Sequence, residues 1–226
     1  MTNEQELHRL LLPFLEEEGE YVSGEKLAEI AGVSRVSIWN RMNKLEESGF
    51  KFEAVRNRGY RLKREPAFLH PALVAAYARH YQCAIPLHVF ESIDSTSSEA
   101  ERRLISQANS PFAIMASEQT RGRGRLGRNW ESARVGNLYL SLALKPTLSR
   151  NRMHTFTLWM GVNLARFLNQ RLKLPIQIKW PNDILCRGKK VAGMLTEARV
   201  DNDRLKDLIF VLVLNINTDS FPPELV

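Results

Sequence analysis

Gly122-Arg123-Gly124-Arg125-Leu126-Gly127-Arg128 is the stretch on which the fold turns. Its spacing, Gly-x-Gly-x-x-Gly, matches the dinucleotide-binding fingerprint, which would make the chain a doubly wound α/β protein. That fingerprint needs a strand, a tight turn and then a helix whose N-terminus holds pyrophosphate. A strand-like run does precede, Phe112 to Ser117. On the far side of the last glycine, Arg128-Asn129-Trp130-Glu131-Ser132 lacks helical periodicity and leads into a second strand. The match therefore reads as false, and the loop is expected to join two strands. Glycines let backbone N–H groups approach a ligand closely. Arg121, Arg123, Arg125 and Arg128 alternate with them, and a guanidinium grips carboxylate or phosphate with a planar fork. Alone, the loop is an anion cradle, a solvated basic loop or a nonspecific nucleic-acid patch.

Strands and helices alternate on either side of it. Asn137 to Leu144 reads as a long strand and Met153 to Leu172 as an amphipathic helix. Ile176 to Trp180, Val191 to Glu197 and Leu208 to Asn217 read as further strands. The mixture predicts a protein of the α+β or the α/β class. Lys179-Trp180-Pro181-Asn182-Asp183 closes one strand, and Gly188-Lys189-Lys190-Val191-Ala192-Gly193 comes after a short hairpin. An ammonium there can neutralise phosphate charge, and a nearby carboxylate can hold a metal ion. Taken separately, Asn182-Asp183 is equally a turn and Lys189-Lys190 a solvated pair.

Upstream of about Arg64 the pattern changes. Leu7, Leu10, Leu11, Phe14 and Leu15 recur at helical spacing. Ser23 stands where a helix N-cap belongs, and Gly32 where the helix should end. Ser34 starts another helix with Ile38, Met42 and Leu45 on one face, closed by Gly49. Helix, short glycine turn, helix is the helix-turn-helix pattern. Asn57-Arg58-Gly59 between β-prone runs suggests a hairpin, the wing of a winged helix. Residues 1–64 carry 11 basic and 11 acidic side chains, yet 35–44 and 54–64 contain bases and no acid. One basic side is the footprint that phosphate binding needs. Ser34, Arg35, Ser37, Asn40, Arg41, Arg56 and Arg58 are the candidate DNA-binding residues. Trp39 could read a base step or pack against the first helix. A small helical protein-interaction domain is the competing reading. Glu65-Pro66 and His70-Pro71 punctuate the chain, placing the boundary at 64–68, with a winged helix-turn-helix domain expected over 1–64 and a second domain over 68–226.

The whole net charge of +7 lies in the second segment, where 21 basic residues face 14 acidic ones over 65–226. That placement favours anionic small molecules at least as much as nucleic acid. Cys83 and Cys186 are far apart and make no metal-spaced pair, which fits a reducing compartment. The polar N-terminus is no signal peptide, and no apolar run reaches the ~18 residues of a membrane span. The expectation is a cytoplasmic protein with no membrane partner.

Asp94-Ser95-Thr96, Gln119 with the Gly122–Arg128 loop and Trp130, Lys179 to Asp183, and Gly188 to Gly193 occur in that order. Together they closely resemble the biotin–protein ligases. With the N-terminal head, the chain is similar to their bifunctional class, which also represses biotin operons. The resemblance implies a catalytic domain related to class II aminoacyl-tRNA synthetases. It implies an ATP- and Mg²⁺-dependent enzyme that forms biotinyl-5′-AMP and passes biotin to a lysine of a biotin carboxyl carrier protein, an acetyl-CoA carboxylase subunit. Biotin is then both substrate and corepressor precursor, operator DNA a second partner, and a homodimer the DNA-binding form.

By position, Ser95, Thr96, Ser97, Gln119, Arg123, Gly124, Arg125 and Lys190 would hold biotin and its adenylate. Lys179, Asp183 and Arg125 would serve catalysis, with Asp183 a metal ligand. Ser97 stands where the family usually has Asn, and Val211 and Val213 where it usually has Gly. Beyond Val226 the resemblance implies further helices and an SH3-like domain, so the chain is expected to be C-terminally truncated. A biotin-responsive regulator with weak or no ligase activity is the alternative. A lipoate-attaching relative is disfavoured by the head and the Gly-Arg loop.

Overall fold

The structure is a computed structural model that describes residues 3–124, 129–130, 136–146, 153–201 and 204–216. It divides into two compact units, one ending at Ala84 and one beginning at Ile85.

The first unit runs α1 (Asn3–Glu16), α2 (Gly24–Ala31), α3 (Arg35–Glu47), β1 (Lys51–Val55), β2 (Gly59–Arg64) and α4 (Pro71–His80). The caps stand where serine and glycine chemistry puts them. Ser23 accepts a hydrogen bond from Lys26 N at 3.1 Å, and Gly32 turns left-handed at φ 64° to end α2. Ser34 caps α3, whose Ile38, Met42 and Leu45 are buried. They meet Leu7, Leu10, Leu11, Phe14 and Leu27 in one core. Trp39 is 58% exposed, so it packs into no core. The β1–β2 hairpin is the expected wing, with Val55 opposite Gly59. Gly59 sits at φ +106°, and a Cβ there would lie 2.1 Å from Val22 O. Only glycine permits the close approach by which Val22 and Tyr60 exchange N–H···O bonds of 2.8 and 2.9 Å.

The boundary expected at 64–68 lies inside this unit. His70 caps α4 through Nδ1, and Pro71 pre-sets its first turn. Ala72, Leu73 and Ala76 then complete the core, and Tyr77 Oη donates to Glu65 Oε1 at 2.6 Å. The His-Pro pair that reads as punctuation is thus a helix start belonging to the first unit.

The second unit contains β3 (Leu87–Ile93), α5 (Thr96–Ile105), β4 (Phe112–Gln119), β5 (Gly122–Arg123), β6 (Asn129–Trp130) and β7 (Asn137–Leu144). It continues with α6 (Met153–Leu172), β8 (Ile176–Lys179), β9 (Asp183–Cys186), β10 (Lys189–Asp201) and β11 (Arg204–Asn215). Seven strands form one sheet in the order β3-β4-β7-β11-β10-β9-β8, and β5 pairs β6 separately. Among the described residues, β3 and β4 pair parallel within that sheet, crossed over by α5, and the other pairings are antiparallel. That crossover ends where the glycine–arginine stretch begins. β5 and β6 pair antiparallel across the loop, so the stretch joins strands.

β7 shows how the sheet is sandwiched: Asn137, Tyr139, Ser141 and Ala143 are buried, and the residues between them are half-buried. One face packs Ile114, Ala143, Ile209 and Val211 against Ala100 and Leu104 of α5. The other packs Leu140, Leu142, Phe210 and Leu212 against Phe156, Leu164 and Ala165 of α6. Alternation along each strand separates the two sets.

Candidate functional site

α5 begins with a buried hydroxyl cluster. Ser95 is its N-cap, and Ser95, Thr96 and Ser97 are all at most 1% exposed. Thr96 donates to Gln119 Oε1 twice, from its backbone N at 2.8 Å and from Oγ1 at 3.0 Å. Ser141 Oγ in turn donates to Thr96 Oγ1 at 2.8 Å, and Ser95 Oγ lies 3.1 Å from Ser97 Oγ. Buried polar groups in such a cluster are tolerable because each has a partner. The preceding residue fixes the cluster from outside. Asp94 receives a two-pronged fork from Arg102, both bonds 2.8 Å, and this holds its carboxyl down to about 2. Asp94 O also accepts from Arg121 N at 2.8 Å, tying the start of the glycine–arginine loop to the end of β3.

Gly122 is buried and Arg123 exposed. Arg123 Nη1 lies 3.5 Å from Glu101 Oε2 and 3.9 Å from Glu197 Oε1. It lines a cleft of about 190 Å³ with Glu101, Leu104, Glu197, Arg199 and Asp207. Arg199 Nε donates to the buried Asp207 at 2.7 Å. Arg125 and Arg128 lie outside the described residues.

Lys179 faces Asp183 across β8–β9, and Asp183 faces Gly193 across β9–β10. Register carries the line onward from Gly193 to Val213, from Val213 to Tyr139, and from Tyr139 to Ala116. Directly opposed residues share a face, so Lys179, Asp183, Val213 and Tyr139 lie on the α5 side of the sheet with Ser141. Lys190 Nζ lies 2.9 Å from Asp183 Oδ1, both side chains partly exposed. Asn182 clamps the turn to β10: its backbone O accepts from Met194 N at 2.8 Å, and its Nδ2 donates to Met194 O at 3.1 Å. Trp180, before a cis peptide to Pro181, is 79% exposed.

The structure thus brings Ser95, Thr96, Ser97 and Gln119 into one cluster and Lys179, Asp183 and Lys190 into another. Three strand spacings separate Tyr139 from Asp183, about 14 Å at ~4.8 Å each. The two clusters share a face without touching. Sequence reasoning missed Ser141, Tyr139, Glu101 and Glu197. The signal for the first two is polar groups at inward positions of an otherwise apolar strand; the glutamates gave no signal.

In the first unit, Arg35, Val36, Trp39 and Asn40 are exposed on α3, and Arg41 is half-buried. Ser34 and Ser37 bond each other at 3.0 Å within the helix cap. Arg56 and Arg58 are exposed at the wing tip. Arg58 lies over the Tyr21 ring at 4.2 Å and Arg61 over the same ring at 4.7 Å. Arg61 is also held by Glu53, its Nε donating at 2.9 Å.

Among the described residues no three His, Cys, Asp or Glu gather as a metal cage, and no helix is long and apolar enough to cross a membrane. Comparison with known proteins places both units. Residues 89–216 match the biotin/lipoate A/B protein ligase family, and 7–61 match a helix-turn-helix domain. The bifunctional ligase/repressor BirA of Bacillus spizizenii is 33% identical over 208 residues, covering 91% of this chain and 64% of that protein. BirA of Escherichia coli is 32% identical over 179 residues, 79% of this chain and 54% of that protein. The chain therefore spans under two thirds of the length of these relatives. The Aquifex aeolicus biotin protein ligase, solved with biotin and ATP, superposes with a TM-score of 0.53 at 34% identity, over 62% of this chain and 56% of that one. The Leishmania major enzyme with biotinyl-5-AMP gives 0.53 at 29%, over 63% and 62%. With a helix-turn-helix unit ahead of it and a sheet that carries the hydroxyl and lysine–aspartate clusters on one face, the chain belongs to the biotin/lipoate A/B protein ligase family.

Proposed function

We propose that the chain is an ATP-dependent biotin–protein ligase with a DNA-binding repressor head, acting in the cytoplasm. The observation that carries the reading is the shared sheet face. At one end, Thr96 and Gln119 form a buried polar cluster of the kind that orients a neutral polar ring. At the other, Lys179, Lys190 and Asp183 supply charges suited to phosphates and an incoming ammonium. Biotin and ATP in the Aquifex enzyme, and biotinyl-5-AMP in the Leishmania enzyme, support the ligand assignment.

The first step would bring the biotin carboxylate against the α-phosphate of ATP, two anions that repel. Lys179, Arg123 and Arg125 would lower that repulsion and hold the charge that builds on pyrophosphate. Mg²⁺ would neutralise phosphate charge. Such an ion needs only one or two carboxylates beside phosphate oxygens, and Asp183 suits one of those positions. Ser95, Ser97, Gly124 and Lys190 would line the acyl and adenylate site. In the second step a carrier-protein lysine would attack the biotinyl carbonyl, with AMP leaving. Asp183 would pair with that ammonium or accept its proton, after exchanging its bond to Lys190. The carrier is a biotin carboxyl carrier protein. The repressor form would be a homodimer on operator DNA, with Arg35, Asn40, Arg41, Arg56 and Arg58 toward the duplex.

A second reading, a biotin-responsive regulator with weak ligase chemistry, is favoured by one observation. Val211 and Val213 are buried at 5% and 3% exposure in the middle of the same face, where the related enzymes usually have glycine. Purified chain with labelled ATP and biotin separates the two. Biotin-dependent pyrophosphate release is expected; biotin binding without release would leave the regulator.

A further inference from the structure

Ser141 is fully buried on β7, inward-facing and two residues along from Tyr139. It belongs to a different strand from every residue expected to touch ligand. Its hydroxyl donates to Thr96 Oγ1 at 2.8 Å, and Thr96 Oγ1 donates to Gln119 Oε1 at 3.0 Å. A hydroxyl has a single proton. With Ser141 supplying a donor to Thr96, the Thr96 proton is directed to Gln119, and the chain has one direction. Gln119 Oε1 then accepts from both Thr96 Oγ1 and Thr96 N, the latter at 2.8 Å, so the amide nitrogen is turned away from Thr96.

An amide presents a donor on one side and an acceptor on the other, and a flip exchanges them. A ligand ring that offers a carbonyl and N–H groups distinguishes the two orientations. Hydrogen bonds in such chains also polarise one another in a low-dielectric interior. Removing the Ser141 hydroxyl leaves a lone pair of Thr96 buried without a donor, frees the Thr96 rotor and weakens the hold on Gln119.

We propose that Ser141 is a positioning residue of the acyl-ligand site, acting through Thr96 Oγ1 to reinforce the Gln119 amide in the orientation that the Thr96 backbone N–H selects. The ligand named, biotin, rests on the function proposed above; the relay does not. The experiment compares Ser141→Ala, Gln119→Ala and the double variant by calorimetric titration with biotin and separately with ATP. Ser141→Ala should weaken biotin binding roughly tenfold, the loss of about one buried hydrogen bond. It should leave ATP affinity within about twofold, the ATP cluster lying outside contact distance. In the Gln119→Ala background it should add no further loss. An equal loss in both backgrounds, or none in the first, overturns the relay. The Gln119 side-chain amide signals of the unliganded protein provide the second readout. They should shift or broaden in Ser141→Ala, and unchanged signals overturn the proposal even if wild type binds no biotin, an outcome that would instead defeat the ligase reading. Ser141→Cys, of similar volume with a weak donor, replaces Ser141→Ala in both measurements if the alanine variant does not fold.

Discussion

Asp94 shows how a single side chain outside the buried cluster holds it in shape. Its fork from Arg102 lowers its carboxyl from an ordinary 3.8 to about 2, and Arg102 also bonds Glu99. A carboxyl whose folded value is depressed adds stability above its unfolded value and loses it as pH falls through the folded one. The window here runs from about 4 down to about 2. Both partners are partly exposed, so solvent screening keeps the gain below about 1 kcal/mol. Arg102→Ala should therefore be less stable than wild type by up to that amount at pH 7. The gap should narrow through this window and close near pH 2, as measured by urea unfolding. A gap that stays constant with pH would assign the loss to packing of the arginine stem.

At the scale of elements, the wing depends on one backbone approach. Gly59→Ala puts a methyl into Val22 O and forces φ +106° on alanine. Strain plus displacement of the Val22–Tyr60 bonds should cost about 2–4 kcal/mol. Thermal unfolding of the variant should start earlier, and loss of the far-UV signal should include the first unit; an unshifted melting curve would refute the contact. The caps of α2 and α3, the alternation of β7 and the full extent of α6 were legible because each is written in local spacing. Among the elements that were not, α4, β3 and α5 show why. α4 opens on His70-Pro71, which looks like a breaker until His70 is seen capping it. β3 is an edge strand with mostly half-buried residues, so its alternation is weak. α5 buries only Thr96, Ser97, Ala100 and Leu104 along a largely polar helix, and its serines resemble binding residues as much as a cap. In the candidate site, Gln119, Lys179 and Asp183 were singled out by their motifs. The bond from Thr96 to Gln119 spans 23 positions and that from Ser141 to Thr96 spans 45. Such pairings depend on sheet order, which no local spacing encodes.

At the scale of the whole molecule, charge is divided by unit and by side. Residues 1–64 have balanced charge, while 65–226 hold the excess. Net charge alone would therefore point nucleic acid to the second unit. The geometry of the first unit argues otherwise: Arg35 on α3 and Arg56 and Arg58 at the wing tip are exposed, and Arg61 is held by Glu53. Each exposed arginine that neutralises a phosphate releases counterions, adding about 0.9 to the slope of log affinity against log salt. Arg56→Ala and Arg35→Ala should each weaken duplex binding and flatten that slope by about this amount. Arg61→Ala should leave the slope unchanged, because its guanidinium is already engaged with carboxylate and the Tyr21 ring. Fluorescence anisotropy with a labelled duplex at several salt concentrations decides this. If Arg56→Ala and Arg61→Ala flatten the slope equally, the whole hairpin lies on the backbone. If neither does, phosphate contact belongs elsewhere, and the basic second unit becomes the candidate.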